Sequence, residues 1–181
     1  YAGGAIAIAR HLADFCGNVT LLSMLGENGD FKEFIEESLP GNVEARFLQK
    51  KGAPTIFKKR FIDLVSNSKT LGVYSLEDSP LKIAQQRELQ SELDELIKVH
   101  DLIIVSDYGH GFISADIAHA ISSAEIFSSL NAQINAANIG YHTMDNYHGI
   151  DCAIINESEL RHEFRDRRSD LTELARKLLL S

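Results

Sequence analysis

Residues 106–111, with the sequence SDYGHG, combine a hydroxyl, a carboxylate, a phenol and two glycines within six positions. They directly follow residues 102–105 (LIIV), an apolar segment that predicts a strand buried on both faces of a parallel sheet. Ligands of open α/β sheets bind just beyond the carboxyl ends of such strands. Asp107 supplies a charge that is costly to bury without a partner. The segment also fits a plain strand-to-helix turn in which Asp107 caps the next helix, so both interpretations stay open.

Two further clusters could bind an anion. Gly3 and Gly4 precede a predicted helix, whose free backbone N–H groups could hold an anion or a sugar hydroxyl. The alternative there is close helix packing. In the segment 58–60 (KKR), Lys58 and Arg60 share one face of a predicted strand, from which they could reach a phosphate. The alternative is an edge strand protected by positive charge.

Two more polar clusters follow later strands. Residues 135–142 (NAANIGYH) carry uncharged donors and acceptors that suit sugar hydroxyls or a nucleotide, although Asn and Gly are also the usual turn residues. In the segment 156–159 (NESE), Asn156 could cap a helix with Glu159 completing a reciprocal cap. Glu159 could also order the water shell of Mg²⁺, which is often held indirectly. Both roles can hold together.

The elements that would position these residues alternate between helix and strand, which predicts an α/β fold with a mainly parallel sheet flanked by helices. Residues 54–76 interrupt that pattern with alternating Thr, Ile, Phe, Val and Tyr, which predicts an antiparallel β-hairpin that acts as a flap. The predicted helices are 5–13, 31–39, 84–99, 114–127, 157–164 and 170–180. The predicted strands of the sheet are 19–25, 43–48, 102–105, 130–135 and 152–155.

The composition excludes several classes of protein. The chain of 181 residues has 18 basic and 26 acidic residues, a net charge of −8, which argues against binding to nucleic acid or to anionic membranes. No apolar segment approaches the roughly 20 residues that cross a bilayer. Cys16 and Cys152 fit neither a disulfide framework nor a zinc site, so we expect two small buried residues of a cytoplasmic protein.

Taken in chain order, these clusters resemble the ribokinase-like (PfkB-type) carbohydrate kinases. Residues 3–7 resemble the family's Gly-Gly-Ala-x-Asn-Val-Ala helix start, and residues 21–30 its strand and Gly-x-x-Gly-Asp turn. Residues 54–60 resemble the lid strand of the heptose-phosphate kinase branch, and residues 106–111 that branch's Ser-Asp-Tyr-Gly-Lys-Gly. Residues 156–159 match the Asn-x-x-Glu motif. The resemblance covers nearly the whole chain.

Three departures from the family pattern accompany the resemblance. Ile6 stands where many members have a polar residue, and His110 replaces the usual Lys. Residues 135–138 take the place of an acidic Asp-Pro segment, a pattern similar to kinase-like domains fused to a sugar-nucleotide transferase. The family's Gly-Ala-Gly-Asp segment, which carries the catalytic base, is expected beyond Ser181, and a further strand before Tyr1. We therefore expect residues 1–181 to form a single incomplete domain that is inactive alone.

The resemblance implies ATP-dependent phosphoryl transfer to a hydroxyl of a phosphosugar, of the heptose phosphate class, with ATP and Mg²⁺ as cofactors. It implies a homodimer through the lid hairpin, and no nucleic-acid or membrane partner. The alternative is a catalytically degenerate, sugar-binding or dimerisation module of a bifunctional nucleotidyltransferase. A dinucleotide-binding domain is disfavoured because no G-x-G-x-x-G follows a strand. The implied substrate-binding residues are Gly3, Gly4, Lys58, Arg60, Asp107 and Asn138; Asn156 would contact the cofactor and Glu159 would hold the metal through water.

Overall fold

The computed structural model describes residues 1–134, 138 and 144–180. The chain divides into two compact units, Tyr1–Ser79 and Pro80–Ser181. Each unit contains parallel strands, and the first also contains an antiparallel hairpin. The predicted α/β class, with parallel strands flanked by helices and a small hairpin, is confirmed.

Unit 1 is built on a pair of parallel strands. Strands β1 and β2 pair along their whole length, from Val19 opposite Val43 to Gly26 opposite Lys50. The side chains of Leu21, Leu25 and Leu48 on these strands are buried, and burial of such apolar surface is the main term that favours folding. The elements of unit 1 are α1 (Ala5–Leu12), β1 (Val19–Gly26), α2 (Lys32–Glu37), β2 (Val43–Lys50), β3 (Phe57–Asp63) and β4 (Ser68–Ser75).

The hairpin formed by β3 and β4 lies where the alternating pattern predicts it. The strands pair antiparallel, with an irregularity between Phe61 and Ile62. Every residue of β3 is exposed, so the hairpin has two open faces rather than one buried face. It begins next to a close contact with β1: the Gly26 N–H donates to Thr55 Oγ1 (2.9 Å), and the Glu27 N–H donates to the Ala53 carbonyl (2.9 Å).

A buried lysine fixes the far end of the hairpin. The Lys50 ammonium group donates to the backbone carbonyls of Glu77 (2.7 Å) and Ser79 (2.6 Å), and lies 3.0 Å from the Glu77 carboxylate. Hydrogen bonds from Ser79, and then from Lys50, lower the pKa of Glu77 to about 2. A lysine is rarely buried unless it is paired, and here its partners hold the chain that leaves β4.

Unit 2 holds a three-stranded parallel sheet in the order β5-β6-β7. Leu130 of the central strand is fully buried, and Leu89 and Leu174 are the other large side chains buried most completely in this unit. The elements of unit 2 are α3 (Ile83–Ile97), β5 (Leu102–Asp107), α4 (Ala115–Ser122), β6 (Phe127–Ala132), β7 (Cys152–Ala153), α5 (Glu157–Glu163) and α6 (Leu171–Leu178).

Three details of the sequence prediction are wrong. Helix α4 ends at Ser122 and β6 begins at Phe127, because 123–126 form a turn within the expected helix. Strand β5 is not buried on both faces: Leu102 is 39% and Ile104 37% exposed, since the face they share is only partly covered. The two cysteines are half-exposed rather than buried, and neither forms a disulfide.

The helices in the described ranges are all too short or too polar to cross a membrane.

Gly26 allows the close approach between β1 and the segment before the hairpin. A Cβ at this position would collide with backbone atoms of Pro54 and Thr55, which cannot rotate away as side chains can. We therefore expect Gly26→Ala to lower the free energy of unfolding by about 1–3 kcal/mol in urea denaturation. The matched control is Gly41→Ala, where a Cβ meets open space, with a change of about 0.5 kcal/mol or less. Equal effects at both positions would contradict the packing role of Gly26.

Candidate functional site

Asp107 is the last residue of β5, and its carboxylate is buried with only 8% of the residue exposed. One carboxylate oxygen accepts from the Gly109 N–H (2.9 Å), and the other accepts from the Tyr147 hydroxyl (2.8 Å). Asp107 does not cap the next helix, because Ser114 is the N-cap of α4 and accepts from the Ile117 N–H. The plain-turn interpretation in which Asp107 is a helix cap is therefore wrong.

The loop after β5 turns at its two glycines. Gly109 (φ +64°) and Gly111 (φ +76°) both adopt left-handed backbone conformations, which favour glycine over residues with a Cβ. Between them, the buried His110 ring stacks on Tyr108, with ring centroids 6.3 Å apart. This turn carries the Gly109 N–H back toward the carboxylate that ends the strand. The loop is thus shaped around Asp107, as expected for a residue at the carboxyl end of a parallel strand.

Tyr147 is a residue that the sequence analysis missed. It is buried, and its pKa is raised, first by burial and then by the negative charge of Asp107. The phenol therefore stays protonated and remains a donor to the carboxylate. No local signal could identify it, since Tyr147 lies 40 positions along the chain from its partner.

Asn138 lies beside the same loop and is almost completely buried, with 2% exposure. Its amide nitrogen donates to the backbone carbonyls of Tyr108 (2.9 Å) and Gln133 (2.9 Å). The side chain thus joins the loop after β5 to the end of β6. Its predicted contact with substrate stays a prediction. The rest of the polar cluster, residues 135–137 and 139–142, lies outside the described residues.

Asn156 and Glu159 form the reciprocal helix cap that their spacing predicts. The Glu159 N–H donates to Asn156 Oδ1 (3.0 Å), and the Asn156 N–H donates to Glu159 Oε2 (3.0 Å). The other Glu159 oxygen accepts from the Ile134 N–H at 3.3 Å. The capping interpretation is confirmed, and the buried Glu159 carboxylate also holds the chain just after β6.

Glu163, one helical turn after Glu159, is a second carboxylate that the sequence analysis missed. Its Oε2 accepts from the Met144 N–H at 2.9 Å. Burial raises the pKa of Glu163, and a hydrogen bond with Asp145 together with that residue's negative charge raises it further, while the Met144 bond opposes them. Residues four apart on a helix share one face, so α5 presents both carboxylates on one side, where they accept from the N–H groups of Ile134 and Met144.

In unit 1, the two predicted anion clusters lie on separate elements. Gly4 is the N-cap residue of α1, with φ +60°, and its carbonyl accepts from the Ile8 N–H (3.3 Å). Gly3 and Gly4 are both exposed. Lys58 and Arg60 lie on β3 and share a face, whereas Lys59 lies on the other face with its ammonium group 5.0 Å from the Phe61 ring centroid.

The face of the hairpin opposite Lys58 carries four apolar side chains as well as Lys59. Phe57, Phe61, Val73 and Leu71 lie on it, and all four are exposed. The Phe57 ring also stacks on Phe31, at 5.8 Å between centroids. The homodimer implied through the hairpin stays a prediction.

A direct metal site is not found in the described part of unit 2 or unit 1, because no three His, Cys, Asp or Glu side chains there group closely enough to hold an ion. Each of the two Glu159 oxygens accepts one backbone N–H bond. The predicted contact of Glu159 with metal-bound water stays a prediction.

Comparison with known proteins finds several relatives that carry the same name. The chain is 27% identical over 128 residues to the bifunctional protein HldE of Nitratiruptor sp., which covers 69% of this chain and 27% of that protein. Identity to HldE of Campylobacter jejuni (strain RM1221) is 29% (66% and 24% covered), and to HldE of Granulibacter bethesdensis 30% (67% and 25% covered). This chain is similar in sequence to the bifunctional HldE proteins.

The fold comparison agrees with the sequence comparison. A crystal structure described as that of "a putative sugar kinase from Clostridium perfringens" aligns with 98% of this chain and 54% of its own, with a TM-score of 0.56 and 15% identity. No family model matches the chain. The chain spans about a quarter of the length of the HldE proteins it matches. The resemblance predicted from the motifs is confirmed as a similarity in sequence to the bifunctional HldE proteins and in fold to a protein described as a sugar kinase.

The hydrogen bond between Tyr147 and Asp107 is testable by a double-mutant cycle. Tyr147→Phe removes only the hydroxyl and leaves a buried carboxylate with one donor fewer, so we expect the free energy of unfolding to fall by about 1–3 kcal/mol in urea. In the Asp107→Asn background the same change should cost less, because a neutral amide is less costly to bury. An equal cost in both backgrounds would show that the two side chains are not coupled.

Glu163 predicts a dependence of stability on pH. Because its pKa is raised above the ordinary value of 4.5 in the folded chain, its stabilising contribution is complete below that value. It is lost as the pH rises through the folded pKa. Glu163→Gln resembles the protonated form, so the stability of the variant relative to wild type should increase as the pH is raised from 4.5 to 8. Urea denaturation of both proteins at several pH values in that range measures this difference in the free energy of unfolding.

Glu125→Gln is the matched control for the loss of one acidic charge, since Glu125 is exposed in the same unit. At each pH, the difference in the free energy of unfolding between Glu125→Gln and wild type is subtracted from the difference found for Glu163→Gln. A Glu163→Gln difference that stays constant across the range after this subtraction would contradict the assignment.

Proposed function

We propose that the full-length protein containing this chain is an ATP-dependent kinase that phosphorylates a hydroxyl of a phosphosugar of the heptose phosphate class. The observation that carries the proposal is the buried Asp107 carboxylate, held at the carboxyl end of β5 by a glycine turn and by Tyr147. Such strand ends are where α/β proteins bind their ligands. The similarity to the HldE proteins and to a sugar kinase supports this choice of reaction.

In this proposal Asp107 orients the sugar by accepting a hydrogen bond from one of its hydroxyls. The bonds from the Gly109 N–H and the Tyr147 hydroxyl fix the direction of this carboxylate. Phosphoryl transfer depends mainly on positioning and on stabilisation of charge. A carboxylate held in a fixed direction contributes to the positioning of the sugar. The backbone of Gly3 and Gly4 and the side chain of Asn138 are proposed as further sugar contacts.

The charges on the substrate and on ATP need separate partners. We assign Lys58 and Arg60 to the phosphate that the sugar already carries, since cations with several N–H donors bind such dianions well. Asn156 is assigned to ATP, with the amide nitrogen that its helix cap does not use. Mg²⁺, when bound, would neutralise phosphate charge, and we assign Glu159 to a contact with the water shell of the ion. The general base is assigned to sequence beyond Ser181, and the site of action to the cytoplasm.

The direct test is turnover by the full-length protein. Purified protein is mixed with ATP, Mg²⁺ and either a heptose phosphate or the same heptose without its phosphate, and release of ADP is measured. We expect ADP release that depends on the phosphorylated sugar. Binding of the sugar phosphate without any turnover would contradict the proposal and favour the alternative, a degenerate kinase-like binding module.

Glu159→Gln separates the metal role of this residue from its capping role within the same assay. Glutamine can keep the reciprocal cap through its amide oxygen but removes the charge and cannot also accept from the Ile134 N–H, so stability should fall by about 1 kcal/mol while kcat falls at least about tenfold. Glu159→Ala should lose both turnover and stability. A Glu159→Gln variant with normal kcat would show that the carboxylate acts only as a helix cap.

A further inference from the structure

One face of the hairpin gathers three cations around a single phenol. Lys58 lies opposite Tyr74 in the β3–β4 register, with its ammonium group 5.7 Å from the centre of the phenol ring. Lys69, from β4, lies 5.6 Å from the same ring centre, and its ammonium group is 3.1 Å from the Tyr74 hydroxyl. Arg60 shares this face and influences the titration of both Lys58 and Tyr74. The sequence analysis recognised only the two cations on β3.

Gly72 makes this arrangement possible. It lies opposite Arg60 in the register, between Lys69 and Tyr74 along β4. A Cβ at this position would lie 3.0 Å from the Tyr74 hydroxyl and 3.1 Å from the Lys69 ammonium group. These distances are tighter than ordinary contacts, so a Cβ here would require the tips of Lys69 and Tyr74 to shift. The absence of a side chain at Gly72 therefore lets these two tips meet directly above the β4 backbone.

The charges on this face are unusual for so acidic a chain. Three positive groups stand together although the net charge of the chain is −8. The hydrogen bond from Lys69 and its positive charge lower the pKa of Tyr74, and the charges of Arg60 and Lys58 lower it further. Partial burial, and then the charge of Arg60, lower the pKa of Lys58. Cations that repel one another in this way are stabilised when an anion binds among them.

We propose that Lys69 and Tyr74 bind the phosphate group of a phosphosugar on this face of the hairpin, with their tips held together over Gly72. Lys58 and Arg60 complete the site from β3. Two ammonium groups, a guanidinium and a hydroxyl supply enough donors for the three terminal oxygens of a phosphate monoester. The assignment rests on the proposed function for the identity of the ligand, and it adds two binding residues from the second strand.

The other face of the hairpin offers a matched control for Lys69. Lys59, on β3, is likewise an exposed lysine, and its ammonium group lies near an aromatic ring, that of Phe61. It differs from Lys69 in facing away from Tyr74. Loss of Lys59 therefore changes the charge of the hairpin by the same amount without removing a member of the site.

The test measures binding rather than turnover. Isothermal titration calorimetry on the full-length protein, without ATP, gives the affinity for inorganic phosphate, for a heptose phosphate and for the unphosphorylated heptose. Lys69→Gln should weaken heptose phosphate binding about tenfold, the effect of one charged hydrogen bond of about 1.4 kcal/mol. Gly72→Ala should weaken it severalfold with all charges retained. Lys59→Gln should stay within about twofold of wild type.

The possible results separate this site from the proposed reaction. Equal losses for Lys69→Gln and Lys59→Gln, or no binding of either phosphate compound to wild type, would overturn the site. Turnover of a phosphosugar that is indifferent to Lys69→Gln would overturn the site and leave the kinase proposal standing. Binding that depends on Lys69 in a protein without turnover would support the site and overturn the kinase proposal. Circular dichroism confirms that each variant is folded.

Discussion

The burial of Asp107 constrains the structure of unit 2 more than any other single interaction. A carboxylate taken out of water must find donors nearby, and here one is a backbone N–H two residues ahead and the other a phenol 40 residues ahead. The first requires the left-handed turn at Gly109. The second places Tyr147, which follows β6 in the chain, at the end of β5. A binding residue in this position is already oriented before any ligand arrives, which lowers the entropy lost on binding.

The surrounding polar residues extend the same principle to the chain between β6 and α5. Asn138 joins that chain to the loop after β5, and Glu159 and Glu163 hold it on either side through the N–H groups of Ile134 and Met144. Each of these side chains accepts from or donates to part-buried backbone groups, so truncating any of them to Ala would leave such a group without this partner and lower the stability. A role in function for Glu159 would therefore be added to a structural role rather than replace it.

Local patterns in the sequence predicted most of the fold and part of the site. The alternation of helix and strand, the hairpin and the Asn156–Glu159 cap all depend on residues close in sequence, and the structure has each of them. The partner of Asp107 could not be predicted, because Tyr147 has no local pattern that relates it to β5. Lys69 and Tyr74 escaped notice for a similar reason: their relation to Lys58 depends on the register between two strands. The partial exposure of Leu102 could not be predicted either, because the apolar residues of β5 do not specify which other elements pack against the strand.

The central claim, that the buried Asp107 carboxylate receives a sugar hydroxyl, is tested most directly by a crystal structure of the full-length protein with a bound heptose phosphate. The account predicts a sugar hydroxyl within about 3 Å of an Asp107 carboxylate oxygen, with the bonds from Gly109 and Tyr147 retained. A sugar bound elsewhere, with Asp107 contacting only protein groups, would contradict it.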